Sequence, residues 1–210
     1  ALLGTNPISV AIPAGKEQPY VLDMATSIVP IGRVSVYQKA GKPIPEGWGI
    51  DKNGNVTENP DDVLEGGALL PLGGTEEMRG YKGYGLSLLV DILSGVLSGA
   101  SFGPEVGQPK EGKNANVGHF FAAIRIDLFR EIMDFKEDMD RYIFLLKTSP
   151  LAAGSDRIYI HGEKEFAKEK DFRKNGVPLM EPVVRMLQSA GKEAGVDFNL
   201  EVLRSVQEEF

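Results

Sequence analysis

The apolar run LLVDILSGVLSG, at residues 88–99, constrains the fold more than any other feature. Together with the residues before it, the run predicts a helix over residues 82–98. Its apolar side chains surround the helix axis, which is typical of a helix buried on most sides. Small residues that would let another element approach closely stand at Ser94, Gly95, Ser98 and Gly99. We therefore expect a central buried helix, with a subunit contact as one use of its small residues. Asp91 is expected to be either functional or a satisfied structural acid.

A glycine-rich stretch, EMRGYKGYGLS at residues 77–87, opens this helix. Its spacing matches neither the P-loop nor the usual dinucleotide-binding fingerprint. Two interpretations remain open from the local pattern. Glycines at a helix start let a phosphate approach unpaired N–H groups, and Lys82 would add a full positive charge. Alternatively, the glycines form a tight entry turn and Lys82 is solvated.

Strand and helix patterns alternate along the rest of the chain, which predicts an α/β fold with a mixed sheet and flanking helices. Strands are predicted at residues 8–13, 20–22, 119–126 and 157–160, and further helices at about residues 28–40, 128–147, 163–174 and 181–194. Asn53-Gly54 predicts a tight hairpin. A long loop is expected over residues 59–75, and a mobile lid over residues 100–117. With 210 residues, the chain is one large domain or two small ones.

Composition argues against several classes of protein. The chain has no cysteine, which precludes disulfides and thiolate metal sites and agrees with a cytoplasmic location. Its net charge of −7 argues against a nucleic-acid binder. Two histidines make a histidine-rich zinc site improbable. No uncharged apolar run reaches the length of a membrane span, and the first residues, which lack a starting methionine, do not form a signal peptide.

The segment VLDMATS, at residues 21–27, places an acid and two hydroxyls directly after an apolar strand, where ligands usually bind in α/β sheets. Asp23 is suited to accept hydrogen bonds from ribose hydroxyls. Thr26 and Ser27 are suited either to bind phosphate or to cap the next helix. Of the two histidines, His119 is expected to be a hydrogen-bonded core residue. His161, between a predicted strand and a helix, is better placed to contact a ligand.

Four motifs, GTNPISVAIP, VLDMATS, RGYKGYGLSLLVDILSGVLSG and YIHGEKE, occur in an order that resembles the malate/L-lactate dehydrogenase family, which lacks a Rossmann fold. Relatives include L-sulfolactate dehydrogenase, ureidoglycolate dehydrogenase and 2,3-diketo-L-gulonate reductase. The resemblance covers nearly the whole chain. It implies hydride transfer between NAD or NADP and a small 2-oxo or 2-hydroxy acid, in a homodimer with the active site between domains.

The resemblance also implies a set of cofactor-binding residues and favours the cofactor role for Lys82. The set comprises Leu22, Asp23, Met24, Ala25, Thr26, Ser27, Ile28, Tyr81, Lys82, Gly162, Glu163 and Lys164. The last three belong to a turn that usually contains Pro-Gly-Glu in the family. The corresponding residues here are His161-Gly162-Glu163, so a histidine stands in place of the proline.

In relatives, a segment before the GTNP motif supplies the histidine acid/base and an arginine for the substrate carboxylate. This chain begins just before GTNP, and neither His119 nor His161 matches that histidine. We therefore expect residues 1–210 to be the NAD(P)-binding and C-terminal portion, with no catalytic residue, no metal site and little or no turnover alone. The alternatives are a truncated nucleotide-binding or assembly subunit without catalysis and, less strongly, a phosphometabolite-binding protein.

Overall fold

The computed structural model describes residues 1–107, 112 and 114–197, which divide into two compact units. The first unit is Ala1–Tyr142, and the second begins at Ile143. Among the described residues, no helix is both long and apolar enough to cross a membrane.

Helices and short strands alternate in the first unit, so the predicted α/β class is confirmed. Its elements are β1 (Ile8–Ile12), β2 (Tyr20–Met24), α1 (Ile31–Lys39), β3 (Gly49–Ile50), β4 (Val56–Thr57), α2 (Pro60–Leu64), β5 (Ala68–Leu69) and α3 (Tyr81–Asp91). The predicted mixed sheet is wrong. The described strands form two small sheets, β1–β2 and β4–β3–β5, and every pairing within them is antiparallel.

The β1–β2 hairpin is fastened at its turn by a carboxylate from far along the chain. Asp140 accepts hydrogen bonds from the backbone N–H groups of Gly15, Lys16 and Glu17 at 2.9, 2.7 and 3.1 Å. These bonds, led by those from Lys16 and Glu17, hold the pKa of the Asp140 carboxyl below its usual range. The anchored turn leads into a register that pairs Ser9 with Asp23.

A small apolar core stabilises the second sheet. Val34, Ile44 and Val63 are its buried centre, packed against Val29, Tyr37, Trp48, Leu64 and Leu69. The predicted Asn53-Gly54 hairpin is confirmed, because it joins β3 to β4 and Gly54 adopts a φ of 89°. The loop predicted over residues 59–75 is wrong in part. It contains α2, whose first turn is capped by the Asn59 side chain, and it contains β5.

The helix predicted over residues 82–98 forms as α3, which continues into a π-helical turn at Ile92–Val96. Its predicted burial is wrong for this chain by itself. Gly83 and Ser87 are the buried positions of α3, while Leu89 is 49% exposed and Leu97 64% exposed. An apolar side chain is buried only when another element covers it. The described part of the chain does not cover the apolar flank of α3, which we define as Leu86, Leu88 and Leu89.

The small residues after α3 do allow close approach, as predicted. A methyl group added to Gly95 would lie 2.8 Å from Cβ of Phe102, and one added to Gly118 would lie 1.8 Å from the carbonyl oxygen of Ser94. Asp91 accepts a hydrogen bond from the Gly103 N–H at 3.0 Å, so it is a satisfied structural acid. Residues 108–111 and 113 of the predicted lid lie outside the described residues.

Three long helices occupy the later part of the chain: α4 (Ile132–Lys147), α5 (Glu163–Asn175) and α6 (Glu181–Ala194). All three agree with the sequence prediction to within a few residues. The strands predicted at residues 119–126 and 157–160 are wrong. Neither segment pairs with a described strand, and Phe121 is 89% exposed. A β-prone sequence becomes a strand only when a neighbouring strand completes its hydrogen bonds.

Candidate cofactor-binding site

Thr26 joins three of the sequence motifs. Its side chain is fully buried, and its hydroxyl donates to the carbonyl oxygen of Asn6 at 2.9 Å, while its N–H donates to the carbonyl oxygen of Thr5, also at 2.9 Å. The Asn6 side-chain amide in turn donates to the carbonyl oxygen of Ser87 in α3 at 3.0 Å. The GTNP turn therefore ties the VLDMATS segment to the apolar helix.

Neither hydroxyl of the VLDMATS segment caps the next helix. Helix α1 follows Pro30, whose position has no side-chain cap. The Ser27 hydroxyl instead donates to the carbonyl oxygen of Val29 at 2.8 Å. Thr26 has its N–H, carbonyl and hydroxyl groups all hydrogen-bonded within the fold. The contribution of Thr26 is therefore to hold the segment in place.

Leu72 connects the same segment to the start of α3, by a hydrogen bond on one side and by close packing on the other. The Leu72 N–H donates to the carbonyl oxygen of Thr26 at 2.8 Å. On its other side, a methyl group added to Gly83 would lie 2.1 Å from the carbonyl oxygen of Leu72. Gly80 is equally tight, with 1.9 Å to the carbonyl oxygen of Gly74. Gly80 and Gly83 are therefore needed for close packing of backbone on backbone.

The structure leaves the Lys82 side chain exposed at this packed helix start. The Lys82 N–H donates to the carbonyl oxygen of Arg79 at 3.0 Å, so that backbone donor is already used. Arg79 itself has a φ of 65°, and Tyr81 is 54% exposed. The packing interpretation is thus correct for Gly80 and Gly83, and the turn presents two exposed cationic side chains, those of Arg79 and Lys82.

Asp23 presents the complementary chemistry at the end of β2. Its side chain is exposed, and in the described part of the chain it takes part in no hydrogen bond or ion pair. Leu22, Met24, Ala25 and Ile28, its neighbours in the predicted segment, are all half-buried. A carboxylate can accept hydrogen bonds from ribose hydroxyls, and an ammonium can pair with a phosphate, so the two side chains have the chemistry to contact a dinucleotide.

The remaining predicted residues, Gly162, Glu163 and Lys164, lie at the start of α5 in the second unit. Gly162 adopts the left-handed conformation, with a φ of 98°. The Glu163 carboxylate is 15% exposed and lies 2.6 Å from the Lys147 ammonium and 3.1 Å from the Arg157 guanidinium. It also accepts a hydrogen bond from the Ile160 N–H at 3.1 Å.

These contacts decide the pKa of Glu163. Burial acts to raise it, but the hydrogen bonds from Lys147 and Ile160 and the charges of Lys147 and Arg157 outweigh that effect. The pKa of Glu163 therefore lies below its usual value, and the side chain is ionised at neutral pH.

Two cationic side chains contact one aromatic ring beside this turn. The Arg157 guanidinium lies 4.4 Å from the centroid of the Tyr159 ring, and the Lys164 ammonium lies 4.3 Å from it. Sequence reasoning missed Lys147, Arg157 and Tyr159. A local signal existed for two of them, since RIYI stands directly before the HGEK turn, but nothing in the sequence links Lys147 to Glu163.

The two histidines differ from expectation in opposite ways. His119 is exposed and stacks on Phe121 with ring centroids 6.1 Å apart, so its predicted core position is wrong. His161 is exposed and immediately precedes Gly162 and α5, as its position in the sequence indicated.

Residues 1–188 match the malate/L-lactate dehydrogenase family, and the chain belongs to that family. Its resemblance to this family, inferred from the order of four motifs, is confirmed. The chain is 48% identical to a malate dehydrogenase of Pyrococcus horikoshii over 93% of its own length and 54% of that relative. It is 30% identical to the ureidoglycolate dehydrogenase (NAD(+)) of Escherichia coli over 89% of its length and 51% of that relative.

The fold agrees with this assignment. The crystal structure of malate dehydrogenase from Entamoeba histolytica superimposes with a TM-score of 0.83 at 34% identity, covering 92% of this chain and 56% of that one. The chain therefore spans about half the length of the relatives that it matches.

Proposed function

We propose that this chain is the NAD(P)-binding part of an oxidoreductase that transfers a hydride between the nicotinamide ring and a small 2-oxo or 2-hydroxy carboxylic acid. Family membership supports the reaction class. The names of the two relatives support malate-like substrates and a nicotinamide cofactor. A homodimer, a cytoplasmic location and the choice between NAD and NADP remain predictions from the resemblance.

The observation that carries the proposal is the connected geometry of the first unit. Thr26 accepts a hydrogen bond from Leu72, and Leu72 packs against Gly83, the residue after Lys82. The segment that contains Asp23 is thereby held against the start of α3. An exposed carboxylate and an exposed ammonium are thereby presented by elements that are fastened to each other. We assign the ribose hydroxyls to Asp23 and a phosphate to Lys82, with Tyr81 and residues 22–28 along the cofactor.

When bound, the nicotinamide supplies the hydride chemistry, and the residues of this chain bind and orient it. Asp23 fixes the sugar through its two carboxylate oxygens, and Lys82 neutralises phosphate charge. Such positioning accelerates the reaction because the entropy cost of bringing nicotinamide and substrate together is met on binding and not in the transition state.

Calorimetric titration with NADH and NADPH tests the proposal directly. The 210-residue chain is expected to bind at least one of them saturably, and Lys82→Met is expected to weaken that binding by about ten- to hundredfold, the value of one charge-assisted contact. Lys52→Met, at another exposed lysine of the first unit, is the matched control and should bind like the wild type. Equal affinity in Lys82→Met and wild type would remove Lys82 from the site.

The exposed apolar flank of α3 favours a second candidate function. In this function the chain is an assembly subunit that does not bind cofactor. Apolar patches of this kind commonly mark surfaces that contact another chain. The same titration separates the two functions, because an assembly subunit gives no saturable signal with either dinucleotide.

A further inference from the structure

Helix α3 contains a glycine that the described part of the chain does not use for packing. Gly80 and Gly83 bring backbone close to backbone, but a methyl group added to Gly85 would meet no atom within 4 Å. Gly85 lies inside the helix, where glycine is about 1 kcal/mol less favourable than alanine, and its φ is not positive. Glycine at such a position is typical of a place where another group approaches the backbone closely.

Gly85 lies on an exposed apolar side of α3. Leu88, Leu89 and Ile92 follow it at spacings of 3, 4 and 7 residues, so these residues share one side of the helix. All four are exposed, Ile92 by 44%, and we call them the Gly85 stripe. The buried positions of α3 lie on the opposite side of the helix. The stripe is therefore turned away from the packing that holds α3 in the first unit.

Residues 119–124 form a second unsatisfied surface, beside the end of the same helical segment. Gly118 packs on the π-helical turn that continues α3, since a methyl group there would lie 1.8 Å from the carbonyl oxygen of Ser94. Every side chain from residue 119 to residue 124 is exposed. In the part of the chain that the structure describes, no backbone hydrogen bond joins these residues to another segment. Their aromatic and β-branched side chains favour a strand, and an unpaired strand is a template for pairing with another polypeptide.

The relatives contain further polypeptide in the amount that these two surfaces require. The matched region is only 54% of the Pyrococcus horikoshii malate dehydrogenase and 56% of the Entamoeba histolytica chain. Each copy of the corresponding surface in those proteins is thus accompanied by further polypeptide of similar length on the same chain. A small ligand supplies neither a strand nor a continuous apolar surface, whereas a folded polypeptide supplies both.

We propose that the Gly85 stripe and residues 119–124 form one docking surface, and that its occupant is the polypeptide corresponding to the half of the relatives that this chain does not match. A strand of the occupant pairs with residues 119–124. Its apolar side chains cover the stripe, and its backbone comes into contact at Gly85. The occupant is defined by this correspondence, whether it is joined to this chain or separate. This inference goes beyond both candidate functions, because docking requires no bound dinucleotide.

Co-expression tests the docking with the full 210-residue chain. The tagged chain is produced together with the unmatched portion of the Pyrococcus horikoshii malate dehydrogenase and purified through its tag. The wild type is expected to retain that portion in equal amounts. Gly85→Leu should retain about tenfold less, because the added side chain keeps the occupant's backbone away. Gly32→Leu is the matched control and should behave like the wild type, since Gly32 is an exposed glycine of α1 that also meets no atom within 4 Å.

The strand pairing has its own variants and its own readout. Ala122→Pro and Ala123→Pro remove adjacent amides that point to opposite edges of a strand, so at least one of them should lower retention by about tenfold. Valine at the same positions keeps the amide and should leave retention unchanged. Amide hydrogen exchange at residues 119–124 is expected to be fast in the chain alone and at least about tenfold slower in the complex.

Retention that is equal in Gly85→Leu and Gly32→Leu, or absent in the wild type, would overturn the inference. A chain that dimerises alone in analytical ultracentrifugation and loses the dimer in Gly85→Leu would also overturn it, because a second copy would then be the occupant. Weaker NADH binding in Gly85→Leu with unchanged retention would assign the stripe to the cofactor instead. Titration of the chain alone with NADH tests the proposed function separately, so a failure of docking leaves that function standing.

Discussion

The helix starts at α3 and α5 both follow a glycine and both belong to the predicted cofactor site, yet they are fastened by different means. At α3, Gly80 and Gly83 let backbone carbonyl oxygens approach to distances that any side chain would obstruct. At α5, the glycine sets a left-handed turn, and a network of charges around Glu163 holds the chain.

The difference teaches how each turn should respond to its surroundings. Close packing of backbone on backbone depends on shape, so it is sensitive to an added methyl group and insensitive to protons or salt. A carboxylate network tolerates small changes of shape but depends on ionisation and screening. The two helix starts are therefore expected to lose their structure under different conditions.

The largest effect is expected from adding one methyl group at the start of α3. Gly83→Ala should destabilise the first unit by about 3 kcal/mol, because Leu72 must move to make room. Gly85→Ala, two residues on in the same helix, meets no atom within 4 Å and should stabilise it by about 0.5–1 kcal/mol. Urea unfolding followed by fluorescence of Trp48, the only tryptophan, measures both. Equal midpoints for the two variants would contradict the packing account.

A smaller effect is expected where the α3 side uses a polar contact. Thr26→Val keeps the buried shape but removes the hydroxyl that donates to Asn6, and it should cost about 1–3 kcal/mol because a buried carbonyl loses its partner. Thr26→Ser keeps the hydroxyl and is expected to lose less. The same urea titration compares them, and a Val variant as stable as the Ser variant would show that packing alone fastens this region.

The smallest effect is expected from acid at the start of α5. Since the pKa of Glu163 is lower in the folded chain than its ordinary value of 4.5, its contribution to stability is complete above that value and disappears as pH falls through the folded pKa. Protection of the Ile160 amide should fall by roughly tenfold as the pH is lowered from neutral through the folded pKa of Glu163, beyond the intrinsic pH dependence of exchange.

In Glu163→Gln that pH dependence should be absent. The Lys82 amide, which donates to the Arg79 carbonyl, is the internal reference for α3 and should keep its protection over the same range. Parallel loss at both amides would show that the two starts do not differ as described.

Local sequence patterns correctly predicted the structures that depend on neighbouring residues. Helical periodicity located α3, α5 and α6, and Asn-Gly located the β3–β4 hairpin, because those structures depend on residues a few positions apart. The strands expected at residues 119–126 and 157–160 depend on a partner strand, which no local pattern can supply. The burial of α3 failed for the same reason, since a sequence shows that a face is apolar but not what covers it.

The candidate site likewise has residues that the motifs indicated and contacts that no motif indicated. The motif order indicated Lys82 and the VLDMATS segment, but the Leu72 contact that joins them spans 46 residues to Thr26 and leaves no sequence signal. The ion pairs of Glu163 could not be predicted from the sequence. Only the positions of Lys147 and Arg157 show that its charge is used inside the fold.

The turn held by Asp140 has a consequence for how the site varies among related chains. Successive side chains of a strand point to opposite faces, so adding or deleting one turn residue would exchange the places of Leu22 and Asp23 along β2. Three N–H groups seated on one distant carboxylate resist such a change in length. We therefore expect the number of residues between β1 and β2 to be kept wherever Asp23 is kept, although none of those residues needs to touch a ligand.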